Sequence, residues 1–495
     1  MKRSILLLLI LISVISIYSQ GVLRILHIND FHGHIFPKVN EAGIEYGGIS
    51  RIASKINHIK KIHPDALVID GGDFISGFLY ANFDMGLSVR DIYKYIPFNA
   101  IVPGNHEFDY GVAYMKDILE PLKDKIILAN VYDNGKRMFK PYIIEKSAGY
   151  RVLIFGVTTP DIKRFVPGLE KSGITVTEPV EEAGRILREN RNKADVFIML
   201  SHCGFEEDMK VAEVYDNLDI IIGTHTHTLV KVPPVINNTI VTQTGAYGER
   251  LGYLRVAYEN NNSRNRIKYS KSSMMIPSQI WGEVEEINLI ANRAQTKVIE
   301  MSEEIIGKAL TTFTAERNEV RGGESPLGNF IADGLKKVMN TDFAVVNGGG
   351  IRAPINAGVI SNADLEKVLP FKNNVVAIST SGAEILKMFE NSLVALKTPS
   401  IAGAFLQISG LKVVYDITNN SVEVMDSAGR KIEKEKSYTL ALVDYILTGG
   451  DGYNFDNYKM LKENEPVRLV KDLVVDYIRE LGEIKPYKDG RITVK

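Results

Sequence analysis

The sequence predicts an α/β chain in two parts: layered strands and helices first, then a part mixing helix with strand. Three observations predict it. From Leu23 onward, short apolar runs alternate with amphipathic stretches. All nine histidines lie between His27 and His227, and the rest of the chain has none. Between these regions Val284, Ile287, Ala291, Ala294, Val298 and Met301 step by three and four. That spacing is one face of a helix of about five turns, placed to connect the two parts.

The elements follow in order. Lys2 and Arg3 precede an apolar run from Ile5 to Ile17, broken only by Ser13 and Ser16. A basic start before a short apolar core reads as an export signal over residues 1–20, with cleavage before Gly21. The run is shorter than the roughly 20 apolar residues of a membrane span, so no stable membrane anchor is expected. The runs Leu23–Ile28, Ala66–Ile69, Ala100–Val102, Ile126–Ala129, Arg151–Val157, Val196–Leu200 and Leu218–Ile222 are bounded by Gly, Pro or Asp and read as buried strands. Ile49–Ile62 and Val180–Asn190 read as helices. Asn260–Asn265 is polar and reads as a loop. This divides the chain into residues 1–20, 21–280, a connecting helix at 281–304, and 305–495. In the last part Leu327–Val338 looks helical, while Leu411–Tyr415 and Ser421–Met425 alternate as strands.

Composition removes several function classes. Lys plus Arg is 59 and Asp plus Glu is 60, a net charge of −1. A nucleic-acid binder working by bulk electrostatics would carry a basic excess. One cysteine, Cys203, excludes a disulfide framework and a thiolate metal cluster. A metal must therefore be held by His and carboxylate. The lack of disulfides fits a bacterial periplasm or an extracellular medium. Nothing in the sequence sets an oligomeric state.

Five segments share one layout, in which an apolar strand ends and metal-competent side chains follow at once. They are Asn29-Asp30-Phe31-His32-Gly33, Asp70-Gly71-Gly72-Asp73, Gly104-Asn105-His106-Glu107-Phe108-Asp109, Ser201-His202, and Gly223-Thr224-His225-Thr226-His227. Sites in open α/β sheets form beyond the carboxyl ends of strands, so these side chains should converge. Imidazole and carboxylate without thiolate suit Zn, Mn, Fe or Co. Two metals need about seven ligands, one of them bridging. Asp30, His32, Asp73, Asn105, His202, His225 and His227 make seven. On a strand, His-x-His would put both imidazoles on one face. His27 reads as structural, His58 and His63 as solvent-facing, and His34 as structural, with support of the ligands as its alternative.

In this order the motifs resemble those of the calcineurin-like metallophosphoesterases, and more narrowly the exported 5′-nucleotidase family, over about Leu23 to Thr493. The resemblance implies a four-layer α/β/β/α sandwich followed by an α+β substrate-binding domain. It assigns Asp30, His32 and His227 to one divalent ion, Asn105, His202 and His225 to the other, and Asp73 as the bridge, with Zn, Mn or Co as the ions. It matches His106 and Asp109 to a catalytic pair. The residue types agree: His106 can donate to a phosphoryl oxygen or leaving group, with Asp109 orienting it. The alternative for Asp109 is a cap on a helix starting near Gly111.

Four later segments carry the rest of the match: Glu316–Arg321 with Pro326–Asn329, Asn347–Arg352, Leu369–Asn373 and Tyr445–Tyr453. The resemblance implies that Arg317, Arg321 and Arg352 hold the phosphate through forked donors. It implies that Phe371 and Tyr445 sandwich a base, and that Asn347, Asn373 and Asp451 bind base or ribose. The implied activity is hydrolysis of nucleoside 5′-monophosphates, extending to UDP-sugars. The alternatives are a 2′,3′-cyclic nucleotide 2′-phosphodiesterase/3′-nucleotidase and a non-catalytic binding protein on the same fold. For a nucleotide to be cut, its two ends must meet both parts of the chain at once.

Overall fold

The computed structural model describes residues 21–162, 169, 173–258, 267–275, 282–461 and 468–495. The export-signal segment and the polar stretch 260–265 lie outside them. No helix among the described residues is long and apolar enough to cross a membrane. The chain forms two compact units, Met1–Val298 and Ile299–Lys495.

The first unit holds two large sheets. One runs in the order Ile267–Met275, Arg250–Tyr258, Leu23–Ile28, Leu67–Asp70 and Ala100–Ile101. The other runs Val235–Ile236, Thr239–Thr242, Ile220–Gly223, Val196–His202, Tyr150–Thr158 and Tyr142–Ser147. The two-residue period of a strand sorts its side chains between two cores. Val152, Ile154, Val196, Ile198, Leu200, Ile220 and Ile222 join the cluster that contains Ile25, Leu26, Val68 and Ile69 of the first sheet. Their alternates Leu153, Phe155, Phe197, Met199 and Ile221 pack instead on Ala183, Ile186 and Leu187 of helix Pro179–Asn190 and on Val211 and Ala212 of helix Phe205–Val214. On the other side, helix Ile49–Ile62 buries Ile49, Ile52, Ala53, Ile56 and Ile59 in the cluster of the first sheet. The layers are thus α/β/β/α, as expected.

Register places the chemistry. Ile28 lies opposite Asp70, and Asp70 opposite Ile101, all in parallel pairs. In the second sheet Ser201 lies opposite Gly223, again in parallel. Each of these strands therefore delivers its carboxyl end to the same edge of its sheet.

The second unit is built on a six-stranded sheet. Its path is Leu406–Ser409, Phe343–Asn347, Ser437–Val443, Asn374–Ser381 and Tyr458–Met460, with Arg468–Leu469 also pairing on Asn374–Ser381. Helices Pro326–Met339, Gly382–Lys397 and Val470–Leu481 contribute to its core, which includes Leu327, Ile331, Ile385, Phe389, Val474 and Ile478.

Three expectations are corrected. Ile126–Ala129 is fully buried but forms no strand; one parallel bridge joins Ile126 to Ile101. Its amides are spent elsewhere, Leu128 on the Lys140 carbonyl and Ala129 on Gly156. A buried apolar run without alternation looks the same in either conformation. The helix Glu285–Glu303 buries Ile287, Ala291, Ala294 and Val298, but Met301 is 42% exposed. The His-x-His pair lies past the end of strand Ile220–Gly223, not on it.

Candidate active site

Backbone bonds stitch the first two of the five loops together, and side chains tie in the others. The Asp30 amide donates to the Gly72 carbonyl at 3.0 Å and the His32 amide to the Asp73 carbonyl at 2.7 Å. Asp30 is held by the Asn29 side chain at 2.6 Å and by the His225 amide at 3.1 Å to each carboxylate oxygen. Gly104 permits the close approach, since a Cβ there would lie 2.2 Å from Asp73 Oδ1 and 2.4 Å from His202 Cε1.

Backbone conformation marks this site. Asp30, His32, Asp73, His225 and His227 all have positive φ, from 49° to 77°. Non-glycine residues rarely adopt this left-handed region, and such strain concentrates at functional sites.

The side chains converge. Within each of three groups, Asp30/His32/His227, His32/Asp73/His106 and Asp73/His202/His225, the ligand-capable atoms lie within 4.8 Å of one another. Asn105 joins them through Oδ1, 3.2 Å from His202 Nε2. All seven sequence-selected ligands and His106 therefore meet in one place.

The donor set fits divalent cations. His32 Nδ1 donates to the Ser76 carbonyl at 3.0 Å, and His202 Nδ1 to the Gly71 carbonyl at 2.7 Å. Carbonyls that take the Nδ1 proton fix the tautomer and turn Nε2 inward, the usual support of a metal-ligating imidazole. His32 Nε2 then lies 3.1 Å from His227 Nε2, a separation at which two lone pairs repel unless a cation or proton sits between them. Asp73 Oδ2 is 3.2 Å from His202 Nε2 and 3.8 Å from His32 Nε2, so one carboxylate oxygen faces both imidazoles.

Electrostatics agree. Burial depresses His32 and His225 to about 4 and lowers His227, leaving neutral imidazoles with available lone pairs at neutral pH. Burial raises Asp30 to about 7, against the pull of His202. Burial opposes the charge on Asp73, yet His202, His106 and His32 hold it well below the usual carboxylate range. Burial likewise opposes a proton on His202, but Asp73 and Asp30 push it up to about 10. A cation held between this pair would take the place of that proton.

His106 and Asp109 form an ion pair, Nδ1 to Oδ2 at 2.9 Å. Ser76 Oγ donates to the same Asp109 oxygen at 2.5 Å. Burial disfavours the imidazolium, but Asp109 raises His106 to about 9, with Asp73 and Glu107 adding to it. Asp109 is not a helix cap: helix Val112–Leu119 starts from Gly111 without a side-chain capping bond.

Sequence reasoning missed Glu107. Its buried carboxylate accepts the backbone N–H groups of Asp73, Phe74, Ile75 and Gly104 at 2.7–3.2 Å. It thus ties the Asp73 loop to the Asn105 loop. The signal was a carboxylate inside an otherwise ligating motif. His27 is buried in its strand with its ring against Gly252, where a Cβ would lie 2.1 Å from Nε2. His58 is exposed and His63 half-buried.

In the second unit, Arg321 is lowered by burial and by the nearby charges of Arg317 and Arg352, with Asp451 opposing. Arg352 Cζ lies 5.6 Å from the centre of the Phe371 ring. Asn347 Nδ2 donates to Asp451 Oδ2 at 2.7 Å, and the Tyr445 hydroxyl to Oδ1 at 3.1 Å. The Asn347 Oδ1 atom is buried without a partner among the described residues. Gly348 fits under the Arg321 turn because a Cβ there would lie 2.0 Å from the Val320 carbonyl. Phe371 is 49% and Tyr445 41% exposed, so neither is a core residue. Asn373 accepts the Val470 amide through its carbonyl and joins neither contact group among the described residues.

Known proteins resemble this chain in sequence and fold. Residues 23–229 match the family model for calcineurin-like phosphoesterases, and residues 301–463 that for the 5′-nucleotidase C-terminal domain. The snake venom 5′-nucleotidase of Crotalus adamanteus is 30% identical, over 95% of this chain and 88% of that protein. A trifunctional nucleotide phosphoesterase of Bacillus subtilis is 28% identical over 95% of this chain, which covers 35% of that longer protein. The crystal structure of a 5′-nucleotidase precursor from Thermus thermophilus superposes with a TM-score of 0.59 at 29% identity, covering 96% of this chain and 99% of that one.

Proposed function

The chain belongs to the 5′-nucleotidase family, and we propose that it is an exported enzyme that hydrolyses nucleoside 5′-monophosphates to nucleoside and inorganic phosphate. Asp30, His32 and His227 would hold one divalent cation, and Asn105, His202 and His225 the other, with Asp73 between them. Zn, Mn or Co suits these ligands. When bound, such cations supply Lewis acidity and lower the pKa of the attacking water.

The protein's own groups do the rest. Asp109 fixes the Nδ1 proton of His106, and Ser76 fixes Asp109. The imidazole's other N–H then donates to a phosphoryl oxygen or to the leaving oxygen. Arg317, Arg321 and Arg352 neutralise phosphate charge. Phe371 and Tyr445 present exposed rings to a base, and Asn347, Asn373 and Asp451 offer hydrogen bonds to base or ribose. Export rests on the basic-then-apolar amino end.

One observation carries the reading. Asp73 Oδ2 lies within 3.8 Å of two imidazole Nε2 atoms whose other ring nitrogens are anchored to backbone carbonyls. The test is phosphate release from AMP, 3′-AMP, 2′,3′-cyclic AMP and UDP-glucose, with Mn or Zn added. AMP should turn over fastest. Preference for the cyclic or 3′ ester would establish the second reading.

A further inference from the structure

We propose that Phe78, with His34 and Tyr247, forms a ring-stacking subsite on the rim of the histidine–carboxylate cluster that takes the ring of an aryl phosphomonoester. The proposal rests on the metallophosphoesterase reading of that cluster. Gly77 brings the chain directly over His32: its φ is +135°, and a Cβ there would lie 2.4 Å from His32 Cβ and 2.7 Å from Nδ1. The next amide, that of Phe78, donates to the His32 carbonyl at 2.7 Å. The position of Phe78 is therefore set by the ligand itself.

From there a continuous path of rings leads back to the cluster. Phe78 stacks on His34, with centroids 4.3 Å apart and planes at 22°. His34 meets Tyr247 at 4.7 Å, and Tyr247 meets His227 edge-on at 5.1 Å. Lys38 Nζ lies 4.5 Å from the centre of the Tyr247 ring. Phe78 is 42% and Leu79 43% exposed, so apolar surface is offered beside a buried polar centre.

The occupant follows from reach. In an aryl phosphate one oxygen joins ring to phosphorus, so a phosphoryl group at the cluster keeps its ring at the rim. In a nucleotide the ribose carries the base farther from the phosphoryl group. Hydrolysis breaks the P–O(aryl) bond. Water's oxygen joins phosphorus, one water proton goes to the phenol and the other stays with phosphate.

The test compares kcat/KM for p-nitrophenyl phosphate and glycerol phosphate, using the metal-loaded full chain. In Phe78→Ala the ratio of the two should fall about fivefold or more, from loss of one stacking contact. Phe78→Trp should restore it, and metal content should stay at the wild-type level in both variants. An unchanged ratio, failure of tryptophan to rescue, or loss of metal from Phe78→Ala would overturn the proposal. Absence of AMP hydrolysis by the unaltered chain would sink the nucleotidase reading and leave this ratio readable. Turnover of AMP but of neither ester would overturn the ring subsite and leave the nucleotidase reading standing.

Discussion

Replacing Glu107 by alanine removes the acceptor of four backbone N–H groups, those of Asp73, Phe74, Ile75 and Gly104. The side chain is fully buried, so bulk water does not replace it. Each buried donor left without an acceptor costs about 1–3 kcal/mol, which sums to roughly 4–12 kcal/mol. Two effects offset part of this: a water in the vacated space can serve about three partners, and the desolvation of a carboxylate disappears. A net loss of about 3–5 kcal/mol remains, comparable with the total margin of many domains. At about 2–4 °C per kcal/mol for a large domain, the first thermal transition should fall by roughly 6–20 °C. Because these amides position Asp73 and Asn105, metal content should fall as well. The assay is thermal unfolding beside elemental analysis of the same preparation. Glu107→Gln keeps the size but turns an amide NH2 toward backbone donors, so it should fail in the same direction. Either variant with an unchanged transition and full metal would refute the reasoning.

Further outcomes are expected elsewhere. His106→Ala should retain its metals, by elemental analysis, while turnover of AMP drops about 10²–10⁴-fold; loss of metal would make His106 a ligand. Replacing both Phe371 and Tyr445 by alanine should weaken AMP handling by about tenfold or more, since stacking contributes roughly 1–3 kcal/mol per base, and should spare glycerol phosphate; equal losses would make both rings structural. Burial raises the Asp208 carboxyl to about 8, against weaker pulls from Ser201 and His202. A carboxyl that keeps its proton in the fold loses stability as pH rises from its unfolded value toward that pKa. Asp208→Asn should therefore flatten the stability profile between about pH 4 and 8, and an unchanged slope in pH-dependent melting would contradict this.

Most of the histidine–carboxylate cluster was legible because its residues come in contiguous blocks at strand ends, and parallel register brings those ends to one edge of each sheet. What the pattern could not show is conformation. Asp30, His32, Asp73, His225 and His227 reach one another only through left-handed backbone, and no periodicity signals that. The two imidazoles of His-x-His were expected to share the face of a strand, whereas each is turned inward by its own positive φ. Glu107 was hidden because its partners are amides of distant residues, which carry no side-chain signature. Ile126–Ala129 misled for a related reason: burial, not alternation, sets its composition. Phe78 and Tyr247 stand outside every motif; the path of Gly77 over His32 and the stack on His34 connect Phe78 to the site. In the second unit the Arg, aromatic and Asp positions were read through family resemblance. Side-chain contacts join Arg352 to Phe371, and Asn347 and Tyr445 to Asp451, while Arg321 feels the charges of Arg317, Arg352 and Asp451.

Two cations held around Asp73 would supply the Lewis acidity of the proposed hydrolysis. Elemental analysis of Asp73→Ala, with phosphate release from AMP measured on the same sample, tests it most directly. The account predicts that bound metal and turnover fall together, because the one carboxylate shared by both groups of ligands is gone. Two metals retained per chain with near-normal turnover would contradict it.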